Sequence, residues 1–113
     1  MATTYVPDEG DIVWLSFTPH SGHEQAGRRP AVVLSPRAYN SRAGLLVCVP
    51  ITNQAKGYPF EVVLGGRGAT GVALADQVKS LDWQSRQAER KGQVGPAELA
   101  EIKAKIRTLL KLV

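Results

Sequence analysis

In the stretch HEQAGRRPAVVLSP, residues 23–36, one carboxylate and two guanidiniums surround a single glycine just ahead of an apolar run. A guanidinium presents planar, permanently charged donors matched to two oxygens of a phosphate, and in phosphoryl transfer it can hold the charge that builds on them. Arg29 precedes Pro30, which keeps the residue before it extended, so it would stand at a strand mouth as a rigid oxyanion clamp. Glu24, five residues earlier, is close enough for the loop to fold it back on Arg29. There it would serve as a general base, or as a salt-bridge partner contributing about 0–1 kcal/mol if exposed. The plain alternative for Arg28 and Arg29 is a solvated pair flanking a loop.

Thr52 and Asn53 follow Pro50 and offer a hydroxyl and an amide to a phosphate or a base edge; equally, they can cap the local turn. His20 and His23 titrate near neutrality, but they lie in a polar loop with nothing to fix them and read as exposed. Tyr58, between Gly57 and Pro59, is the aromatic best placed to stack a base. Trp14 and Phe60 lie on strand runs and are assigned to the core, as is Cys48 inside LLVCVP.

The totals limit the classes to consider. A chain of 113 residues, 43% of them hydrophobic, is sized for one domain spanning 1–113 with one core. Fourteen basic against ten acidic residues give a net charge of +4, compatible with a polyanionic partner. The distribution is sharper than the total. Lys and Arg are absent from residues 1–24, whereas 25–60 hold Arg28, Arg29, Arg37, Arg42 and Lys56 and no acid. A lone cysteine excludes an internal disulfide, and no Cys/His spacing suggests a metal or cofactor. No apolar run approaches the roughly 20 residues of a membrane span, so a cytoplasmic protein with no membrane contact is expected.

Several short strands must position these residues. DIVWLSF reads as a strand buried on both faces, and the polar connection TPHSGHEQAGRR is of the length at which loops are often functional. Residues 18–28 are therefore a candidate lid. PAVVLS, between Pro30 and Pro36, reads as a short buried strand, and PRAYNSRAG as a helical turn ended by Gly44. LLVCVP is a third apolar run stopped by Pro50. FEVVL makes a fourth strand, GGRGATG a turn, and VALADQVKSLDW a longer fifth strand bending near Asp76. In PAELAEIKAKIRTLLKLV the apolar residues Leu99, Ile102, Ile106, Leu109, Leu110 and Val113 recur at three and four, which is a helix face. The expectation is a mainly β protein with helices: a small, strongly curved sheet or barrel with a C-terminal packing helix.

The blocks YVPDEGDIVWLSF, GHEQAGRRPAVVLSP, CVPITNQAKGYPFEVVL, GVALADQVKSLDW and EIKAKI, in one register over nearly the whole chain, resemble the MazF/PemK family of toxin endoribonucleases from toxin–antitoxin systems. The resemblance implies an SH3-like barrel, a homodimer, and metal-independent cleavage of single-stranded RNA at a short motif by attack of the 2′-OH. It also implies an antitoxin, MazE-like, whose acidic extended tail fills the RNA groove. By position it makes Arg29, Thr52 and Glu24 the catalytic residues and places Arg28, Asn53, Gln54, Lys56, Tyr58, Gln77 and Lys79 on the substrate. Arg28 stands where the family pattern has a histidine, and Ile51 and Asn53 flank Thr52 in place of Cys and Thr. A proton-transfer role for that histidine therefore does not carry over, nor does the recognised RNA sequence.

The rival class is a gyrase-binding poison of the CcdB type, which shares the fold and cuts nothing. Those toxins end in Trp-Gly-Ile, and this chain ends in Lys111, Leu112 and Val113.

Overall fold

The computed structural model describes residues 5–16, 27–66 and 68–113. Glu24, His20, His23 and all of the candidate lid except Gly27 and Arg28 lie outside the described residues. The elements are β1 (Asp11–Ser16), β2 (Arg28–Val33), α1 (Arg37–Ala43), β3 (Leu45–Thr52), β4 (Glu61–Val63), β5 (Val72–Leu74), β6 (Lys79–Asp82), β7 (Glu89–Gln93) and α2 (Pro96–Leu110).

All described pairings are antiparallel. The sheet runs β4-β5-β3-β2-β1-β7, and β6 pairs with β3 off that path. Its hydrogen-bonded path is open, with β4 and β7 at the ends, but the β4–β5 connection comes back onto β7. Gly68, at φ +114°, packs so tightly that a Cβ there would lie 2.7 Å from Gly92 Cα. Only a residue without a side chain tolerates both that dihedral and that approach.

Period-two alternation puts apolar side chains on both faces, as the unbroken runs anticipate. Ile12, Val32, Val49, Ile51 and Val62 join Ile102 of α2 in one cluster. Val13, Leu15, Ala31, Val33, Leu46, Cys48 and Trp83 form the other. Ile102 is fully buried, and truncating such a residue to alanine typically costs about 2–5 kcal/mol. Helix α2 starts at Pro96, where a missing N–H is no loss. The Glu98 carboxylate accepts from Gly95 N at 2.9 Å and also from Gly65 N, tying the helix to the β4–β5 connection.

Four details differ from the sequence expectation. Strand β3 does not stop at Pro50 but runs on to Thr52. Its outer edge is shared: β6 pairs with residues 45–48 and β5 with 51–52, so Pro50 falls in the gap where no donor is needed on that side. The proposed fifth strand is two strands, because Gln77 N donates to Leu74 O and turns the chain between β5 and β6. Residues 37–43 form a full short helix closed by Gly44 at φ +73°. Strand β7 had no sequence signal: ERKGQ is polar and has no buried residue, since it is a sheet edge held by its ladder to β1.

Candidate active site

Strand alternation separates the two arginines of β2. Arg28 is the register partner of Ser16, and its guanidinium donates to Ser16 Oγ at 2.7 Å, to Gln87 O at 2.6 Å and to Glu89 Oε1 at 3.3 Å. It fastens β2 to β1 and β7. Arg29, paired with Leu15, is exposed and has no hydrogen bond or ion pair among the described residues. One guanidinium is thus occupied by the fold, and its neighbour has no side-chain partner among the described residues.

Thr52 ends the adjacent strand. The β2–β3 ladder pairs Ala31 with Pro50 and Val32 with Val49, so Arg29 and Thr52 lie at the same end of adjacent strands. Thr52 Oγ1 accepts from Gln54 N at 3.1 Å, which turns the chain away from the strand. The local-cap reading of Thr52 is therefore part of the structure, and the hydroxyl retains its own proton to donate. On the other side Gly71 presses on Thr52: a Cβ there would overlap Thr52 O and lie 2.8 Å from Asn53 Oδ1.

Two cavities share Thr52 as a wall. The first, about 180 Å³, is lined by Thr52, Gln54, Lys56, Tyr58, Glu61, Leu74 and Gln77. It gathers five residues that the sequence reading named. The Glu61 carboxylate, on β4, holds the loop in place by accepting from Lys56 N at 2.8 Å and Gly57 N at 2.9 Å. Tyr58 OH makes a long 3.5 Å bond to Asp76 Oδ1. Partial desolvation, then the charges of Asp76 and Glu61, push its phenol pKa up, so it is a neutral donor at physiological pH.

The second cavity, about 290 Å³, is lined by Trp14, Pro30, Ile51, Thr52, Asn53, Ala69, Thr70 and Lys91. Here the structure corrects the assignment of Trp14 to the core: the indole is half-buried and forms a cavity wall. Lys91 was missed with β7, since a polar edge strand carries no period in the sequence. The 12 residues between Trp83 and Pro96 were the available hint. Lys79 falls in neither cavity; it is exposed on β6 opposite Cys48. Phe60 is packed as expected, and Trp83 is buried as well, donating from Nε1 to Asn40 O at 2.9 Å. Among the described residues no cluster of His, Cys, Asp and Glu could hold a metal ion.

The exposed guanidinium of Arg29 and the hydroxyl of Thr52, at the same end of adjacent strands, can meet an anion, and Thr52 also walls both cavities. Comparisons with known proteins identify the chain's relatives. Residues 8–110 match the family described as the PemK-like, MazF-like toxin of type II toxin–antitoxin systems. The chain is 60% identical to the endoribonuclease toxin MazF of Escherichia coli K12, over 97% of this chain and 99% of that one. It is 35% identical to the endoribonuclease PemK of Escherichia coli, over 91% and 81% of the two chains. A crystal structure of MazE–MazF from Deinococcus radiodurans superposes with a TM-score of 0.94 at 54% identity, covering 97% of this chain and all of that one.

Proposed function

The chain belongs to the family of PemK-like, MazF-like toxins of type II toxin–antitoxin systems, and on that premise we propose that it is a sequence-specific endoribonuclease that cleaves single-stranded RNA without a metal. The observation that carries this reading is Arg29: exposed, unpaired among the described residues, and at the same end of β2 as Thr52 is of the adjacent β3.

RNA brings its own nucleophile. The 2′-OH attacks the adjacent phosphorus, its proton passes to a carboxylate, and the bond from phosphorus to the 5′-oxygen breaks. That oxygen takes a proton from water, leaving a 2′,3′-cyclic phosphate and a 5′-hydroxyl. Glu24 is assigned the proton on the family resemblance. Arg29 stabilises the phosphorane, where two donors aimed at developing charge contribute most, and Thr52 donates to a non-bridging oxygen. Arg28 is committed to β1 and β7, and a guanidinium is a poor acid in any case, so no proton transfer is assigned to it. Gln54, Lys56, Tyr58 and Gln77 line one slot and Asn53 the other, flanking the phosphate with groups for the two neighbouring nucleotides. Lys79 adds positive charge at longer range.

Two partners follow. An antitoxin with an acidic extended segment would set carboxylates where phosphates otherwise bind; the Deinococcus relative is a MazE–MazF complex. A second copy of the chain would cover the C-terminal end, where Leu109 and Leu110 are exposed and Leu112 joins Leu34, Val47, Val78 and Ile106 in lining a groove. We place the protein in the cytoplasm, where RNA and an antitoxin are at hand; among the described residues no helix is long and apolar enough to cross a membrane. The gyrase-binding alternative has no such use for Arg29.

The test is incubation with a long mixed-sequence RNA in EDTA, mapping every cut and its ends. Cuts at one short motif with 5′-hydroxyl ends are expected; 5′-phosphate ends, or activity abolished by EDTA, would sink the route.

A further inference from the structure

Lys91 takes no part in the chemistry above, yet it is among the most constrained cations of the site. It projects from β7 with Nζ 5.0 Å from the centroid of the Trp14 ring, and its ammonium donates to Gly68 O. The Trp14 contact follows from the pairing of β7 with β1, and the Gly68 contact from the close approach of Gly68 to Gly92, which brings the β4–β5 connection against β7. A cation over an indole face is held by the ring quadrupole. An ammonium has three donors, and only one is used on Gly68.

The cavity it borders has two chemical zones. Pro30, Ile51 and Ala69 are apolar lining, whereas Asn53, Thr70 and Lys91 bring polar groups, with Thr70 Oγ1 donating to Asn53 Oδ1 at 3.4 Å. A slot with apolar walls and a few convergent polar groups suits a flat heteroaromatic ring. A phosphate would meet a single cation among the described residues and lose water against carbon. Because Thr52 is also a wall of this slot, a ring seated there belongs to a nucleotide adjoining the phosphate held at Thr52.

We propose that Lys91 is a specificity-determining residue, its ammonium donating to an acceptor atom of the nucleobase seated in the Trp14 cavity beside the cleaved bond. The proposal rests on the endoribonuclease reading. It deepens that reading by naming the group that selects one base of the motif, as a positioned donor does against a mismatched base edge.

The test substitutes Lys91→Met, which keeps a long arm on the indole and removes the donor. Wild type and variant are given an RNA pool randomised in sequence, and the bases around every cut are counted. In parallel, the affinity of each for four 2′-O-methylated homopolymers, which cannot be cut, is measured at two salt concentrations. The expected result is a preference relaxed about 10-fold at one position next to the cut, the other positions kept, with a matching loss of discrimination among the homopolymers. A uniform loss of rate and affinity across all sequences, with a shallower salt dependence, would make Lys91 a phosphate contact and overturn the proposal. An unchanged motif, or a variant whose lower melting temperature accounts for the whole loss, would overturn it too. Wild-type protein that cuts no RNA yet binds homopolymers with a Lys91-dependent preference would refute the nuclease reading and uphold the base slot. Absence of both cutting and binding overturns both.

Discussion

Arg28 and Ser16 face each other across β1 and β2, and the guanidinium of one donates to the hydroxyl of the other at 2.7 Å. Because successive strand residues point to opposite faces, that bond determines what Arg29 can do: it leaves the sheet on the other side. Two adjacent arginines therefore have separable consequences. Arg28→Ala is expected to lower stability by about 1–2 kcal/mol, a charged hydrogen-bond network discounted for its partial exposure, while cleavage per folded molecule stays within about 10-fold. Thermal unfolding and initial rates on one RNA check both halves.

Arg29→Ala should do the reverse. Removing a donor that acts on transition-state charge typically costs about 100- to 1,000-fold in rate, and an exposed side chain without a described partner contributes little to folding. Arg29→Lys keeps the charge but loses the planar fork, and should recover only part of the rate. Single-turnover cleavage with matched circular dichroism spectra decides; activity retained in Arg29→Ala would remove the residue from the mechanism.

Gly71 offers a backbone test of Thr52. Its φ of +99° strains any other residue, and a Cβ would overlap Thr52 O. Gly71→Ala should cost about 1–3 kcal/mol of stability from the dihedral alone and, by displacing Thr52, should reduce cleavage by more than the fraction of unfolded protein explains. A crystal structure or a two-dimensional NMR spectrum would locate the shift at the ends of β3 and β5.

The exposed leucines of the C-terminal end predict association. Leu112→Asp places a charge in the groove beside Leu34 and Val47 and should turn a dimer into a monomer in sedimentation velocity at micromolar concentration. A wild-type monomer under the same conditions would contradict the assignment of that face.

Cys48 gives a pH prediction. Burial, the largest cause, pushes its thiol pKa from 9.0 up to about 11, with Lys79 and Arg86 opposing. The folded state therefore holds the proton that the unfolded state releases first. The stabilisation is complete below pH 9 and is lost as pH rises toward 11. Denaturant unfolding should show a midpoint falling across that window, shallower in Cys48→Ala, and Tyr5, whose phenol is also raised by burial and by its bond to Asp11, adds to the same slope. Alkylation of native protein at pH 8 should be slow.

The sequence alone determined whatever depends on local pattern. Alternating apolar runs produced β1 to β4, and the period of three and four produced α2 with Ile102 inward, because burying apolar surface is the same requirement wherever the chain goes. The blocks around Arg29, Thr52 and Tyr58 likewise marked most of one cavity. What distant segments do to one another was decided by tertiary structure. The edge strand β7 had no buried face to announce it, so Lys91 and the exposure of Trp14 were invisible until β7 paired with β1. The division of labour between Arg28 and Arg29 needed the register with Ser16. The break between β5 and β6, and the passage of β3 through Pro50, needed two strands sharing one edge. Backbone pairing between segments far apart in sequence decides each of these, and such pairing leaves no period in the amino acids that it joins.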